Sequence, residues 1–178
     1  VNESMKGFTI AEGHLIFGLG AIKNVGSSAI ASIIENRKEN GRFSTLLELC
    51  ESVDLRLVNK RVVESLIKSG ACDSLNQNRS KMFENLSKVI EMGQSKQKDR
   101  ELGQSSMFEV FEDEGHEILE QNLLEDWSDQ ERLKYEKETI GFYISGHPLE
   151  QFTNELSWFT DSSSASILEK NTGSEVSI

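Results

Sequence analysis

The residues best suited to bind an anion lie in a glycine-containing turn between two apolar segments. It reads Lys23, Asn24, Val25, Gly26, Ser27 and Ser28, and the apolar residues after it have the spacing of one buried helix face: Ile30, Ile33 and Ile34. A helix that begins after Gly26 leaves its first amides unpaired at the positive end of the helix dipole. Such amides bind phosphate without reading bases, and the Lys23 ammonium would add positive charge. We therefore predict that residues 23–28 contact a nucleic-acid backbone.

This turn resembles a helix-hairpin-helix, a module that grips the backbone of duplex DNA. We expect Gly26 to supply a backbone conformation that most residues resist and to let another backbone come close. The alternative is a tight turn in a small helical bundle, because one glycine-containing turn is a weak pattern.

A second, degenerate copy of the unit follows at residues 53–67. We expect its turn to centre on Asn59 as the first centres on Asn24, because asparagine tolerates the left-handed conformation. Its outgoing helix should bury Val62, Val63, Leu66 and Ile67. Lys60 and Arg61 begin this helix, and position alone leaves phosphate contact and solvated surface equally open. Two packed copies would share one apolar core.

The rest of the chain predicts a mainly α-helical bundle. Short apolar runs at 8–10 and 15–17 indicate an N-terminal β-hairpin. Thr45 with Glu48, and Ser128 with Glu131, have the spacing of capping boxes. The predicted segments are a β-hairpin at 1–17, the tandem hairpins at 18–75, a helix at 76–93, a flexible linker at 94–125, a helical segment at 126–149, and a C-terminal approach with one strand at 150–178.

Charge is divided unevenly along the 178 residues. The net charge is −11, yet the first 100 residues carry 15 Lys and Arg against 12 Asp and Glu, and the remaining residues carry 4 against 18. A nucleic-acid surface is therefore expected in the first half, and the acidic half should face away from DNA or meet a protein. No apolar run approaches the roughly 20 residues of a membrane helix.

Cys50 and Cys72 lie far apart in apolar helical contexts, and the histidines have no ligand spacing with them. We interpret both cysteines as reduced core residues. Nucleotidyl transfer needs carboxylates around two metal ions, and no such set is evident in the sequence. We therefore expect neither catalytic residues nor a cofactor in this chain.

Three segments together carry a resemblance to a family. They read FGLGAIKNVG at 17–26, VNKRVVESLIKSGACDSL at 58–75 and EKETIGFYISGHPL at 136–149. In this order they resemble the bacterial DNA polymerase III alpha subunits, the catalytic chains of the replicase. The resemblance implies the end of the fingers domain, a tandem helix-hairpin-helix, a clamp-binding peptide and the first strand of an oligonucleotide-binding (OB) fold. It also implies a cytoplasmic protein, other replisome subunits as partners, and Mg²⁺ in the parent polymerase.

The same resemblance identifies the peptide for the ring-shaped sliding clamp (the beta subunit). It matches Gln104, Ser105, Ser106, Met107 and Phe108. Met107 and Phe108 are large apolar residues in a polar stretch, and they would fill an apolar pocket of the clamp. Gln104 would fix the register through its amide. The alternative is that Met107 and Phe108 pack on this chain's own helices.

A rival hypothesis for the whole chain is an interaction scaffold. Its hairpins would then pack on other polymerase domains without touching DNA. Salt dependence separates the two, because phosphate contacts weaken as salt rises.

Overall fold

The computed structural model describes residues 1–11, 13–75, 77–101 and 125–160, together with residues 162, 167 and 173. Within these residues the protein is mainly helical, as predicted. Its strands are β1 (Thr9–Ala11) and β2 (His14–Ile16), and its helices are α1 (Ser27–Asn40), α2 (Leu46–Ser52), α3 (Lys60–Lys68), α4 (Arg79–Glu101), α5 (Asp129–Thr139) and α6 (Thr153–Phe159). Short 3₁₀ turns lie at Leu19–Ala21, Asp73–Leu75 and Glu150–Phe152.

The N-terminal β-hairpin is confirmed. Strands β1 and β2 are antiparallel, with Thr9 opposite Ile16. The chain then runs closely past residues 5–7, where the Leu19 amide donates to the Met5 carbonyl at 2.8 Å. A Cβ on Gly18 would lie 2.4 Å from the Gly7 carbonyl carbon, so only glycine permits this approach.

Helices α1 to α4 form one hydrophobic core. The predicted faces of α1 and α3 are buried, with Ile33 and Leu66 fully enclosed. A buried side chain of this size contributes about 1.5–3 kcal/mol relative to an exposed one. Cys50 and Cys72 are free and buried in the same core, as predicted, and burial raises the pKa of both thiols to about 12.

Local signals set the ends of the helices as predicted. Thr45 Oγ1 accepts from the Glu48 amide at 3.1 Å, and the Glu48 carboxylate accepts from the Ser44 amide at 2.6 Å. Ser128 and Glu131 form a complete capping box at the start of α5. Gly41 ends α1 with φ of 93°.

Helix α4 is longer than the sequence indicates. The predicted helix ended at residue 93 and a linker followed, but α4 continues to Glu101. The reason is packing against α2. The Cys50 backbone lies 3.0 Å from where a Cβ on Gly93 would be, and the Gln97 amide donates to the carbonyls of Cys50 and Val53 at 2.8 Å. Gln97 thus satisfies unpaired carbonyls at the end of α2, which favours the continued helix.

The predicted C-terminal strand and clamp-binding peptide lie outside the described residues. Before the predicted strand, α6 exposes Trp158 and Phe159 at 77% and 74% of their surface. Among the helices described, none is long and apolar enough to cross a membrane.

Candidate nucleic-acid interface

The first hairpin turns at Asn24, not at Gly26. Asn24 has φ of 67°, and among the described residues it is the only non-glycine with positive φ. Gly26 is the N-cap of α1 with φ of −77° and ψ of 160°, an extended conformation that other residues also adopt. The expectation that Gly26 supplies an unusual conformation was therefore wrong. Asn24 tolerates the left-handed region, and its Nδ2 donates to Ser65 Oγ at 3.1 Å, which ties the turn to α3.

The start of α1 is open to solvent. Gly26, Ser27 and Ser28 are exposed, and no side chain of the described residues caps the helix. The Gly26 carbonyl accepts the first helical bond from Ile30 at 3.0 Å. Because no acidic residue lies in the first turn, nothing there opposes an approaching anion. The geometry is that of a helix start able to hold a phosphate through main-chain amides.

The backbone amides of Val25 and Lys23, two of the predicted contact residues, are hydrogen-bonded within the protein. The buried Val25 donates to the Ile22 carbonyl at 3.3 Å, within the turn. The Lys23 amide donates to the Thr139 carbonyl at 2.8 Å, at the end of α5. The Lys23 side chain is exposed, and no described residue forms an ion pair with it. Lys23 is thus positioned by its backbone while its side chain remains exposed.

The start of α3 in the second hairpin is capped by a side chain, whereas the start of α1 in the first hairpin is not. Asn59 has φ of −72° and caps α3, so its predicted left-handed conformation was wrong. Its side chain accepts from the Val62 amide at 3.2 Å and takes one of the donors that a phosphate would need. Asn59 therefore occupies the position of Gly26, and the two turns differ because asparagine carries its own cap.

Of the two cations predicted at the start of α3, only Lys60 has a described hydrogen-bond partner. Lys60 Nζ donates to Ser87 Oγ of α4 at 2.8 Å. Arg56, in the turn, forms a bidentate pair with Asp54 at 3.0 and 2.9 Å, and these hydrogen bonds lower the pKa of the Asp54 carboxyl. Arg61 is exposed at the start of α3. Of the two predicted cations, Arg61 remains accessible and Lys60 is tied to the bundle.

Residues 125–145, here called the docking segment, pack on the hairpins from outside. The Asp126 carboxylate accepts from the Ser80 amide at 3.1 Å and thereby caps α4. Trp127 meets the Phe83 ring in an edge-on arrangement with centroids 5.6 Å apart, and Tyr135 stacks with Phe83 at 6.5 Å. This part of the acidic half therefore packs on α4 of its own chain. Helices α1 to α4 are called the hairpin bundle below.

A buried ion pair fixes this segment. Glu136 is 0% exposed, and its carboxylate accepts from Arg79 at 2.9 Å and from the amides of Ile144 and Ser145 at 2.8 and 2.9 Å. Arg79 also forms a bidentate pair with Asp73. Burial alone would raise the pKa of Glu136, but the two amides and the guanidinium outweigh it and leave this pKa below its usual value.

Sequence reasoning missed Arg79, Glu136 and Thr139. A signal for Glu136 was present, because it lies between Leu133 and Ile140 on the apolar stripe of α5. A charged residue on a buried face needs a partner. The sequence does not indicate that this partner lies 57 residues away.

The described part of the chain contains no candidate metal site. No group of three or more His, Cys, Asp or Glu there could hold a metal ion. The described residues therefore contain no carboxylate set of the kind that holds the Mg²⁺ ions of a nucleotidyl-transfer centre.

Comparison with known proteins agrees with this geometry. Residues 1–82 match the helix-hairpin-helix motif family. The chain is 36% identical over 162 residues to DNA polymerase III subunit alpha of Borreliella burgdorferi, which is 90% of this chain and 14% of the relative. It is 37% identical over 163 residues to the subunit of Pasteurella multocida, again 90% and 14%, and 37% identical over 147 residues to that of Escherichia coli K12, 82% and 13%. The chain thus spans about one seventh of the length of these relatives.

Proposed function

Because the chain is homologous to one segment of DNA polymerase III subunit alpha, we propose that it is a non-catalytic, DNA-contacting part of a replicative DNA polymerase. The parent chain would be a DNA-directed DNA polymerase that uses Mg²⁺ outside this segment, in the cytoplasm, with other replisome subunits. The single observation that carries the DNA role is the open start of α1 beside the exposed Lys23. Together they would hold the backbone of duplex DNA regardless of sequence.

The two hairpins would share this work unequally. Gly26, Ser27 and Ser28 would offer amides to one phosphate, while Lys23 neutralises it and Asn24 shapes the turn. In the second hairpin, the Asn59 cap removes one donor and Lys60 is engaged. Arg61 would then be the main residue of the second hairpin that contacts the DNA backbone, and it would act through its charge alone.

Salt titration tests the DNA role. Binding of the chain to a fluorescent duplex, followed by anisotropy at several salt concentrations, should weaken linearly on a log–log plot. Two duplexes of unrelated sequence should bind equally, because phosphate contacts carry no base information. Binding that ignores salt, or that depends strongly on sequence, would contradict the proposal.

The clamp contact is a further part of the proposed function. Gln104, Ser105, Ser106, Met107 and Phe108 match the family's clamp peptide, and Met107 with Phe108 would enter an apolar pocket. Ordering the peptide offsets part of the gain, so a dissociation constant on the order of micromolar is expected. Tethering of the polymerase to DNA inside the ring would raise the effective concentration and make a weak contact sufficient.

A matched titration tests the clamp contact. The chain and its Gln104→Ala/Phe108→Ala variant are titrated against the sliding clamp, with Ser105→Ala as the control at a variable position of the peptide. The double variant should bind at least about tenfold more weakly, because it loses both the anchor and the register contact. Equal binding by all three would remove the assignment.

A second candidate function is an interaction scaffold. It is favoured by the exposed aromatic residues after α5, where Phe142 is 64% exposed and Trp158 is 77% exposed. Large exposed apolar side chains are typical of surfaces that meet another protein or domain. Absence of any salt-sensitive duplex binding would favour this function over DNA contact.

A further inference from the structure

The first hairpin is held from outside by the docking segment. Its Lys23 amide donates to the Thr139 carbonyl at 2.8 Å, and Thr139 is the last residue of α5. In the turn of the second hairpin, the Val58 amide donates to the Asp54 carbonyl at 2.8 Å and Asn59 caps Val62, so these bonds stay within the hairpin. An external backbone anchor at the tip of the turn is therefore specific to the first hairpin among those described.

Glu136 fixes the place of that anchor. It lies one turn before Thr139, is fully buried, and joins Arg79 at the start of α4 to the amides that follow α5. Thr139 Oγ1 adds a bond to the Tyr135 carbonyl at 2.7 Å, which holds the last turn of α5 together. Movement of this turn would displace the carbonyl that accepts from Lys23.

We propose that Glu136 is a positioning residue for duplex DNA: it fixes the last turn of α5, which presents the Thr139 carbonyl to Lys23 and so orients the first hairpin. This inference rests on the proposed DNA contact of Lys23 and the start of α1. The bond consumes only the Lys23 amide and leaves the exposed ammonium available for phosphate.

The proposed role of Glu136 couples the docking segment, in the acidic half of the chain, to the first hairpin, in the other half. The docking segment follows the undescribed residues 102–124 and packs on the hairpin bundle through Ser80, Phe83 and Arg79. Loss of the Glu136 pair would leave α1 and its open start in place but free the turn before it. Glu136 thus acts on DNA through Lys23, without touching it.

The test compares Glu136→Gln with Leu49→Val. Leu49 is fully buried in α2, outside the docking segment, so its substitution reports a general loss of stability. Two quantities are measured where both variants are folded: the affinity for a duplex and the hydrogen-exchange rate of the Lys23 amide by NMR. The Val63 amide, bonded to the Asn59 carbonyl at 3.1 Å, is the internal reference.

For Glu136→Gln, we expect Lys23 exchange to rise at least about tenfold more than Val63 exchange, which reports the loss of global stability, and duplex binding to weaken about three- to tenfold. For Leu49→Val, both the exchange ratio and the affinity should stay within about twofold of the original chain. Glu136→Asp keeps the charge but withdraws the carboxylate, so it should give an intermediate exchange rate and serves if Glu136→Gln does not fold.

An unchanged ratio of Lys23 to Val63 exchange in both Glu136 variants would overturn the inference, as would equal loss of duplex binding in Leu49→Val. If the original chain bound no duplex, the proposed DNA function would fail. Exchange at Lys23 would still decide whether Glu136 positions the hairpin, so the two failures are distinguishable.

Discussion

Asn24 Nδ2 donates to Ser65 Oγ at 3.1 Å and joins the turn of the first hairpin to the outgoing helix of the second. The donor belongs to a residue with φ of 67°, and the acceptor is buried in α3. The tandem hairpins are therefore coupled at the turn before α1, in addition to their shared apolar core.

Asn24→Ala should destabilise the chain more than Asn24→Gly. Alanine loses the bond to Ser65, about 1 kcal/mol, and also pays about 1–2 kcal/mol for the left-handed conformation. Glycine loses the bond but adopts the conformation freely, so its cost should resemble that of Ser65→Ala. Urea unfolding measures all three, and equal costs for alanine and glycine would contradict the assigned backbone strain.

Asn59→Ala should lower stability without lowering duplex affinity. The substitution removes the side-chain cap on the Val62 amide, which costs about 0.5–2 kcal/mol. It also frees a donor at the start of α3, so affinity should stay equal or rise slightly. Thermal unfolding and duplex titration measure the two effects, and a large loss of affinity would mean that Asn59 contacts DNA directly.

Ser28→Glu should change stability and DNA binding in opposite directions. A carboxylate in the first turn of α1 interacts favourably with the helix dipole, worth about 0.3–1 kcal/mol. The same charge at an exposed position would repel phosphate, so duplex affinity should fall about tenfold. Ala31→Glu, which adds the same charge at an exposed position further along α1, is the matched control and should weaken binding less. Unchanged binding by Ser28→Glu would place the DNA elsewhere.

The Glu136 ion pair should make stability sensitive to acid. The folded-state pKa of Glu136 lies below its ordinary value of 4.5, so its contribution is complete above about pH 4.5 and is lost as the pH falls through the lowered pKa. Removing one partner of a buried pair costs about 3–5 kcal/mol, and Glu136→Gln should show a loss of this order at pH 7. The difference from the original chain should shrink below pH 4.5 in urea unfolding, and a constant difference would contradict the account.

Local patterns predicted most of the hairpin bundle. The buried faces of α1 and α3, the caps at Thr45 and Ser128, and the β-hairpin all follow from periodicity or short-range hydrogen bonding. Asn59 was misassigned because asparagine serves both left-handed turns and N-caps, and the sequence does not separate these uses. The end of α4 was missed because Gly93 and Gln97 continue the helix through contacts with α2, which lies more than 40 residues earlier in the chain.

The exposed helix start beside Lys23 follows from the local sequence, but the contacts that hold Lys23 in place do not. The sequence placed Lys23 and the start of α1 beside each other, because they are neighbours in the chain. It did not reveal that Thr139 holds Lys23 from the acidic half or that Glu136 is buried with Arg79. Such pairs depend on tertiary packing, which periodicity does not encode.

The most direct measurement of the DNA role is the salt dependence of duplex binding for Lys23→Glu beside Lys38→Glu. Both lysines are exposed and both substitutions change the net charge equally, but Lys38 lies in the last turn of α1, far from its open start. Lys23→Glu should weaken binding about tenfold or more and make the log–log salt slope shallower by about 1, while Lys38→Glu stays close to the original chain. Equal effects of the two substitutions would contradict phosphate binding at the first hairpin.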